Sequence, residues 1–563
     1  MRLTGEVALV GLVALMVCGL CGEAGATSLS RMTSYGPVTG AVSKAYPSVI
    51  AWQGIPFAAP PTGDLRFKPP QAPKSWTEPL MTTDSGPGCP MYVEPVLKGT
   101  EDCLYLDVYA PINVTADTQV MVFIHGGGYV IGNDYHKGLY DGAHLAAKHG
   151  VIVVAMNYRL SVLGFLALDA LKVEAGGTTG NYGLQDQQLA LKWVASNIAA
   201  FGGDPDSVLL FGESAGAFSL CWHLVSPGSK GLFAAVLFES GNCDSPSFFR
   251  PYEYATNFSA GYAAHVGCDP DALSEAELLG CLRALPLPKL IDGGVLLAGG
   301  SGGSVGRFPP DVFWPKLAPI MPWGIAIDGS PAGLTGVPSK LIAAGKGMSN
   351  VPLLMGTNRN EGSIFLPMMI AMVPGIDVLP LSERTALLVL SHFFNSSVVA
   401  QARELYPRYA YKSWDKMASA LLTDYFFVCS ARRMLRAFGA AYPGTPRYTY
   451  RYVYKTDSPL YPVFGDYHSS ELKFVFGNPV HNIPFDKTDW TMSDIFGWYW
   501  TNYARAHAPS GASPSSVDPY PFWPQWNETA QITQLLDVPV GQEAFLDDVV
   551  CDFWDRVKVD YSS

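Results

Sequence analysis

Charge is scarce in this chain. Lys, Arg, Asp and Glu together make up 15% of its 563 residues, and acids outnumber bases 49 to 37, for a formal net charge of −12. No run of like charge stands out, and nothing here would neutralise a phosphate backbone, so no nucleic-acid partner is expected. Metal-ligand spacing such as H-E-x-x-H is missing among the ten histidines, which removes the simplest zinc reading. Gly126-Gly127-Gly128 does not make a dinucleotide fingerprint, and neither metal nor cofactor is expected. No segment repeats at a fixed period. Beyond the N-terminal segment no apolar run is long enough to span a bilayer, and the tail ending in Ser562-Ser563 is no lipid-anchor signal, so no stable membrane insertion is expected.

Apolar residues are plentiful at 48%, enough for a large buried core and too many for a disordered chain. Arg2, the apolar run from Val7 to Leu20 and the small residues Ala24-Gly25-Ala26 have the form of a cleaved signal peptide over residues 1–26, with a retained signal anchor as the alternative. The remainder, 27–563, then forms one exported catalytic domain. Asn113, Asn257, Asn395 and Asn527 each open an N-x-[ST] triplet, the acceptor pattern for N-glycosylation. Loss of Cys18 and Cys21 with the leader keeps an even set: Cys89, Cys103, Cys221, Cys243, Cys268, Cys281, Cys429 and Cys551. In an oxidising compartment such a set implies disulfides, although spacing alone leaves 105 pairings open.

Short β-branched runs such as Val120–Ile124 and Val151–Ala155 alternate with stretches of helical spacing. One of these, Leu184 to Ile198, sets Leu184, Leu191 and Val194 on one face. The pattern predicts an α/β fold with a large, mostly parallel sheet covered on both sides. The Gly/Ser-rich patch from Gly293 to Gly306 reads as a surface loop.

G-x-S-x-G occurs three times. Two copies, Gly299–Gly303 and Gly302–Gly306, fall inside that patch without a strand before or a helix after. The third, Gly212-Glu213-Ser214-Ala215-Gly216, follows the apolar run Ser207–Phe211 and precedes helical composition from Ala217 to Val225. A strand, a sharp turn and a helix lift a serine hydroxyl above a sheet at a helix N-terminus, the setting of a nucleophile. His125-Gly126-Gly127-Gly128-Tyr129 follows the Val120–Ile124 run. Its glycines can aim backbone N–H groups at one point, as an oxyanion requires. A phosphate loop would need Lys-Ser or Lys-Thr after the glycines, and none follows. An acid and then a histidine must come later in the chain. From the residues alone Glu361 and His468, both in polar turns beyond strand-like runs, lead rivals such as Asp328 and His481.

Several ordered segments then carry a resemblance. Gln53–Ala58, Gly63–Phe67, Glu101–Tyr109, Phe201–Pro205, Gly212–Gly216, Asn360–Ser363 and Tyr467–Leu472 are similar to the signatures of the type-B carboxylesterases, a family that includes cholinesterases and several fungal lipases. The resemblance covers nearly the whole mature chain and implies an α/β-hydrolase fold. It also implies a secreted serine carboxylic-ester hydrolase that forms an acyl-enzyme on Ser214 and takes a small-molecule or lipid ester. By the same resemblance Ser214, Glu361 and His468 form the triad, and the N–H groups of Gly127, Gly128 and Ala215 bind the oxyanion. It pairs Cys89 with Cys103, Cys268 with Cys281 and Cys429 with Cys551, leaving Cys221 and Cys243 for one another. The choline-binding tryptophan of cholinesterases has no counterpart between Pro90 and Asp102, where Tyr92 is the only aromatic, so acetylcholine is not the expected substrate. Met321 and Trp323 align roughly with an acyl pocket, with core packing as the alternative. A silent binding member of the fold, or a lipase, thioesterase or peptidase, would share much of this pattern.

Overall fold

The computed structural model describes residues 29–93, 96–245, 248–291, 321–371, 380–480, 483–510 and 518–557. Residues 1–26, expected to be a leader, the patch from Gly293 to Gly306 with its two G-x-S-x-G copies, and His481 lie outside the described residues.

The main sheet is built in chain order from β1 (Ala41–Val42), β2 (Val49–Pro56), β3 (Tyr105–Pro111), β4 (Thr118–Ile124), β5 (Ile152–Met156), β6 (Gly203–Glu213), β7 (Ala235–Glu239), β8 (Leu353–Asn358), β9 (Arg447–Tyr452), β10 (Ile532–Leu536) and β11 (Gly541–Ala544). Across the sheet the order is β11-β10-β9-β8-β7-β6-β4-β5-β3-β2-β1. From β5 through β10 the neighbours pair in parallel. Both edges turn antiparallel, at β10 with β11 and from β5 through β3 and β2 to β1.

The apolar runs explain the parallel centre. Along β4, Val120, Val122 and Ile124 enter the core on one face, while Met121 and Phe123 enter the core on the other. Val208 and Leu210 of β6 alternate with Leu209 and Phe211 in the same way. Strands apolar on both faces need a cover on each. On one face it is provided by α1 (Tyr182–Asn197), with Leu184, Leu191 and Val194 buried, and by α2 (Ala215–Val225), buried along its whole length. On the other lies a later helix, Lys487–Ala506, whose Ile495, Phe496, Tyr499, Trp500 and Tyr503 join the second core. Mapping Ser207–Phe211 as a strand catches the apolar middle of β6 but not its polar start at Gly203, which extends the pairing toward β4.

Disulfides join Cys89 to Cys103, Cys221 to Cys243, Cys268 to Cys281 and Cys429 to Cys551. The last ties helix Cys429–Ala441 to the C-terminal helix Asp548–Arg556, where Arg432 also reaches Asp548, Asp552 and Asp555 at 2.7 Å each. No helix among the described residues is long and apolar enough to cross a membrane.

Candidate active site

Ser214 stands between β6 and α2 at φ 54°, ψ −120°. A non-glycine residue there carries strain on the order of 1–3 kcal/mol, which the surroundings must enforce. Its N–H donates to the Glu239 carbonyl and its own carbonyl accepts from Phe218 N–H, both at 2.9 Å. The flanking glycines let the turn press against the end of β4. A β-carbon on Gly216 would lie 1.9 Å from Ile124 O, and one on Gly212 would lie 2.8 Å from it.

The loop after β4 packs over this turn. A β-carbon on Gly126 would come within 2.4 Å of Glu213 Oε2 and 3.0 Å of Ser214 Cβ. Gly127 and Gly128 sit at φ 106° and 61°, and a side chain added to Gly128 would meet only Val130 Cγ2 at 3.9 Å. Among the described residues the N–H groups of Gly127, Gly128 and Ala215 donate to no backbone acceptor. His125 braces the loop from below: Nδ1 is 2.8 Å from Gly126 O and the ring stacks on Tyr158 at 4.4 Å. Burial pushes its pKa down to about 4, so it stays neutral.

Glu361 and His468 come from the loops after β8 and β9. His468 Nδ1 lies 2.6 Å from Glu361 Oε2. The other carboxylate oxygen, Oε1, accepts from Asn358 N–H at 2.7 Å and from Ser240 Oγ at 2.6 Å. Asn358 Nδ2 donates to the Tyr467 carbonyl at 2.9 Å and to Glu471 Oε2, which fastens the histidine loop to β8. Phe365 and Phe427 stand 4.9 and 5.1 Å from the imidazole and wall it from water.

His468 Nε2 lies 3.1 Å from Glu213 Oε1, the residue before the serine. The distance suits an ion pair, but the N–H direction makes no hydrogen bond, and Nε2 is left without one. Glu213 Oε1 instead accepts from Ser469 Oγ at 2.9 Å. Glu239, in turn, accepts from Trp500 Nε1 at 2.6 Å. Burial lowers the affinity of His468 for its proton. The charges of Glu213 and Glu361, the Glu361 hydrogen bond and the more remote Glu471 outweigh that and raise its pKa to about 9. Burial raises Glu213 to about 7 against the opposing pull of His468 and Ser469. Burial, with repulsion from Glu213 and Glu361, raises Glu471 to about 8.

The structure thus brings His468 against Glu361 and against Glu213, the residue before Ser214, and packs the Gly126 loop over that serine, while no hydrogen bond joins Ser214 to His468 Nε2. Asp328 lies elsewhere: its carboxylate organises a loop by accepting from Thr178, Thr179, Ser330 and Leu334. Trp323 packs edge-on against Phe258 and Tyr262, which is core packing. Sequence reasoning passes over Glu213, Ser240, Asn358, Glu471, Phe365 and Phe427. For Glu213 and Glu471 the signal was present, an acid at the end of an apolar run or beside a candidate histidine.

A profile of the Carboxylesterase family matches residues 27–554. Para-nitrobenzyl esterase of Bacillus subtilis (strain 168) is 33% identical over 528 residues, covering 91% of this chain and 95% of the relative. Cholinesterase of Mus musculus is 31% identical, covering 86% and 79%, and acetylcholinesterase of Electrophorus electricus is 30% identical, covering 90% and 84%. Among solved structures a PNB esterase superposes with a TM-score of 0.73 at 32% identity, over 93% of this chain and 99% of that one.

Proposed function

The chain belongs to the carboxylesterase family, type B, with the α/β-hydrolase fold, and from that premise we propose that it is an exported esterase that forms an acyl-enzyme on Ser214. The observation that carries the reading is the buried 2.6 Å contact between Glu361 and His468 beside a strained serine at a helix N-terminus.

In this reading His468 Nε2 takes the proton of Ser214 as Oγ bonds to the ester carbonyl carbon. The N–H groups of Gly127, Gly128 and Ala215 hold the resulting oxyanion. Collapse breaks the ester C–O bond, His468 returns its proton to the departing alkoxide, and an alcohol leaves. Water then attacks the acyl-enzyme by the same steps and frees the acid. Glu361 keeps the imidazole in the tautomer whose Nε2 can accept a proton, and stabilises the imidazolium. The substrates are small or lipid esters without need of a quaternary ammonium group. Export is supported by four disulfides and by exposed side chains at Asn113, Asn257, Asn395 and Asn527, which we read as glycan acceptors.

A fluorophosphonate probe tests the reading directly. Wild type is expected to be labelled on the peptide containing Ser214 and to turn over activated esters; folded protein that takes no label would remove the reading.

The pH profile tests the electrostatics. Turnover needs neutral His468, so the rate rises with pH, along a limb displaced to the alkaline side of an ordinary imidazole because its pKa is raised to about 9. Glu213 is the strongest of the influences that raise it. Glu213→Gln removes that charge and should move the limb to lower pH by about one unit. A kcat/KM profile whose acid limb stays where wild type has it would refute this assignment.

A further inference from the structure

Tyr129 follows the Gly126–Gly128 loop directly, is fully buried and sits at φ 64°. Its hydroxyl is 3.3 Å from Ser219 Oγ, one turn into α2. Ser219 Oγ donates to the Ala215 carbonyl at 2.9 Å, so its single proton is committed and its lone pairs are left to accept. They face the Tyr129 hydroxyl and Gln187 Nε2, the latter at 3.1 Å. Gln187, on α1, holds His223 Nε2 through Oε1 at 3.2 Å, and His223 Nδ1 is 2.9 Å from Ser229 Oγ. Ser229 accepts from Gln188 Nε2 at 2.9 Å.

Donors and acceptors then run one way: Gln188 to Ser229, Ser229 to His223, His223 to Gln187, Gln187 to Ser219, Ser219 to Ala215. The scheme requires a neutral imidazole protonated on Nε2, and burial, which pushes the pKa of His223 down to about 3, keeps it neutral. Tyr129, Gln187, Ser219, His223 and Ser229 are all fully buried. A polar chain in such a core is costly to build, and every lost member leaves a partner unsatisfied. Apolar side chains would pack α1 against α2 without it. What this chain does that apolar packing cannot is to tie two particular backbone segments at fixed hydrogen-bond geometry.

We propose that the chain is a positioning relay for the oxyanion site. Ser219 joins the loop bearing the Gly127 and Gly128 N–H groups to the first turn of α2, which bears the Ala215 N–H, so that all three converge on the tetrahedral oxyanion. The proposal rests on the acyl-transfer reading above and extends it to positioning residues that touch neither ester nor nucleophile.

The test compares turnover of an activated aryl acetate with inhibition by a trifluoromethyl ketone, whose serine adduct carries the oxyanion. Ser219→Ala is expected to lower kcat about tenfold with KM unchanged, and to weaken the ketone in step with kcat/KM. Ser219→Thr, which keeps the hydroxyl, should restore both. Tyr129→Phe removes only the loop arm and should give the same paired loss at smaller size, so it carries the test if Ser219→Ala fails to fold. A Ser219→Ala enzyme that melts earlier but keeps wild-type kcat and ketone affinity overturns the relay. A wild type that neither turns over the ester nor binds the ketone overturns instead the acyl-transfer reading beneath it.

Discussion

Replacing Ser214 with alanine should lower kcat/KM toward an activated ester by roughly 10⁶-fold, the scale on which a nucleophilic serine acts, with the fold intact. Alanine keeps the β-carbon, so the strained backbone at φ 54°, ψ −120° costs the same in both proteins. Its enforcement also survives, because it comes from the Glu239 carbonyl, from Phe218 N–H and from the close approach of Gly212 and Gly216 to β4. None of these involves the hydroxyl. Thermal melting should therefore match wild type while fluorophosphonate labelling disappears. Some rate above solvent will remain, because oxyanion donors and binding still act without the nucleophile. A variant that retains even a hundredth of wild-type turnover, with pure protein and matched melting, would mean that another group attacks the ester.

The glycines show how far the sequence could be read. Three copies of G-x-S-x-G are indistinguishable as a pattern, and the flanking strand and helix single out one. That works because the motif's physical requirement is local: a sharp crossing from β6 to α2 needs small residues two before and two after the serine. The parallel centre of the sheet was legible for a similar reason, since strands apolar on both faces must be covered on both. The antiparallel edges were not. Short pieces such as Ala41–Val42 and Gly541–Ala544 hold their places by pairing with a neighbour rather than by their own composition.

The histidine and its acid were only half legible, because what chooses them is distance in space. Glu361 and His468 are 107 residues apart, and their place in polar turns after strand-like runs favours them over Asp328 and His481 without deciding it. Asn358 and Asn360 make the difference. Asn358 Nδ2 holds the Tyr467 carbonyl, Asn360 N–H donates to the Asp466 carbonyl, and Asp466 N–H returns a bond to Asn360 Oδ1. These bonds zip the loop after β8 to the loop after β9. The acidic surroundings of His468 were partly hidden for the same reason: Glu471 is near it in the chain, whereas Glu213 belongs to a distant segment that only the fold sets against the imidazole.

Glu361→Gln is the second large expected effect, a loss of roughly 10⁴-fold in kcat/KM, and its origin lies in proton bookkeeping at one buried site. Glu361 Oε1 receives two donors, Asn358 N–H and Ser240 Oγ, and Oε2 receives the third from His468 Nδ1. A carboxylate can accept from all three; an amide has one oxygen. If that oxygen stays with Asn358 and Ser240, the NH₂ group faces Nδ1, which can then only accept, so the ring's proton moves to Nε2. Nε2 then cannot take the proton of Ser214. If the amide turns the other way, its NH₂ meets the Asn358 N–H head-on in a dry pocket, at a cost of about 1–3 kcal/mol. Either orientation also removes the charge that would stabilise the imidazolium. The loss should therefore exceed that of Glu213→Gln, which changes the charge near Nε2 but leaves the Nδ1 proton in place. Kinetics on one activated ester, with melting curves for both variants, decide the matter. A Glu361→Gln enzyme within tenfold of wild type would show that this carboxylate does not set the tautomer of His468.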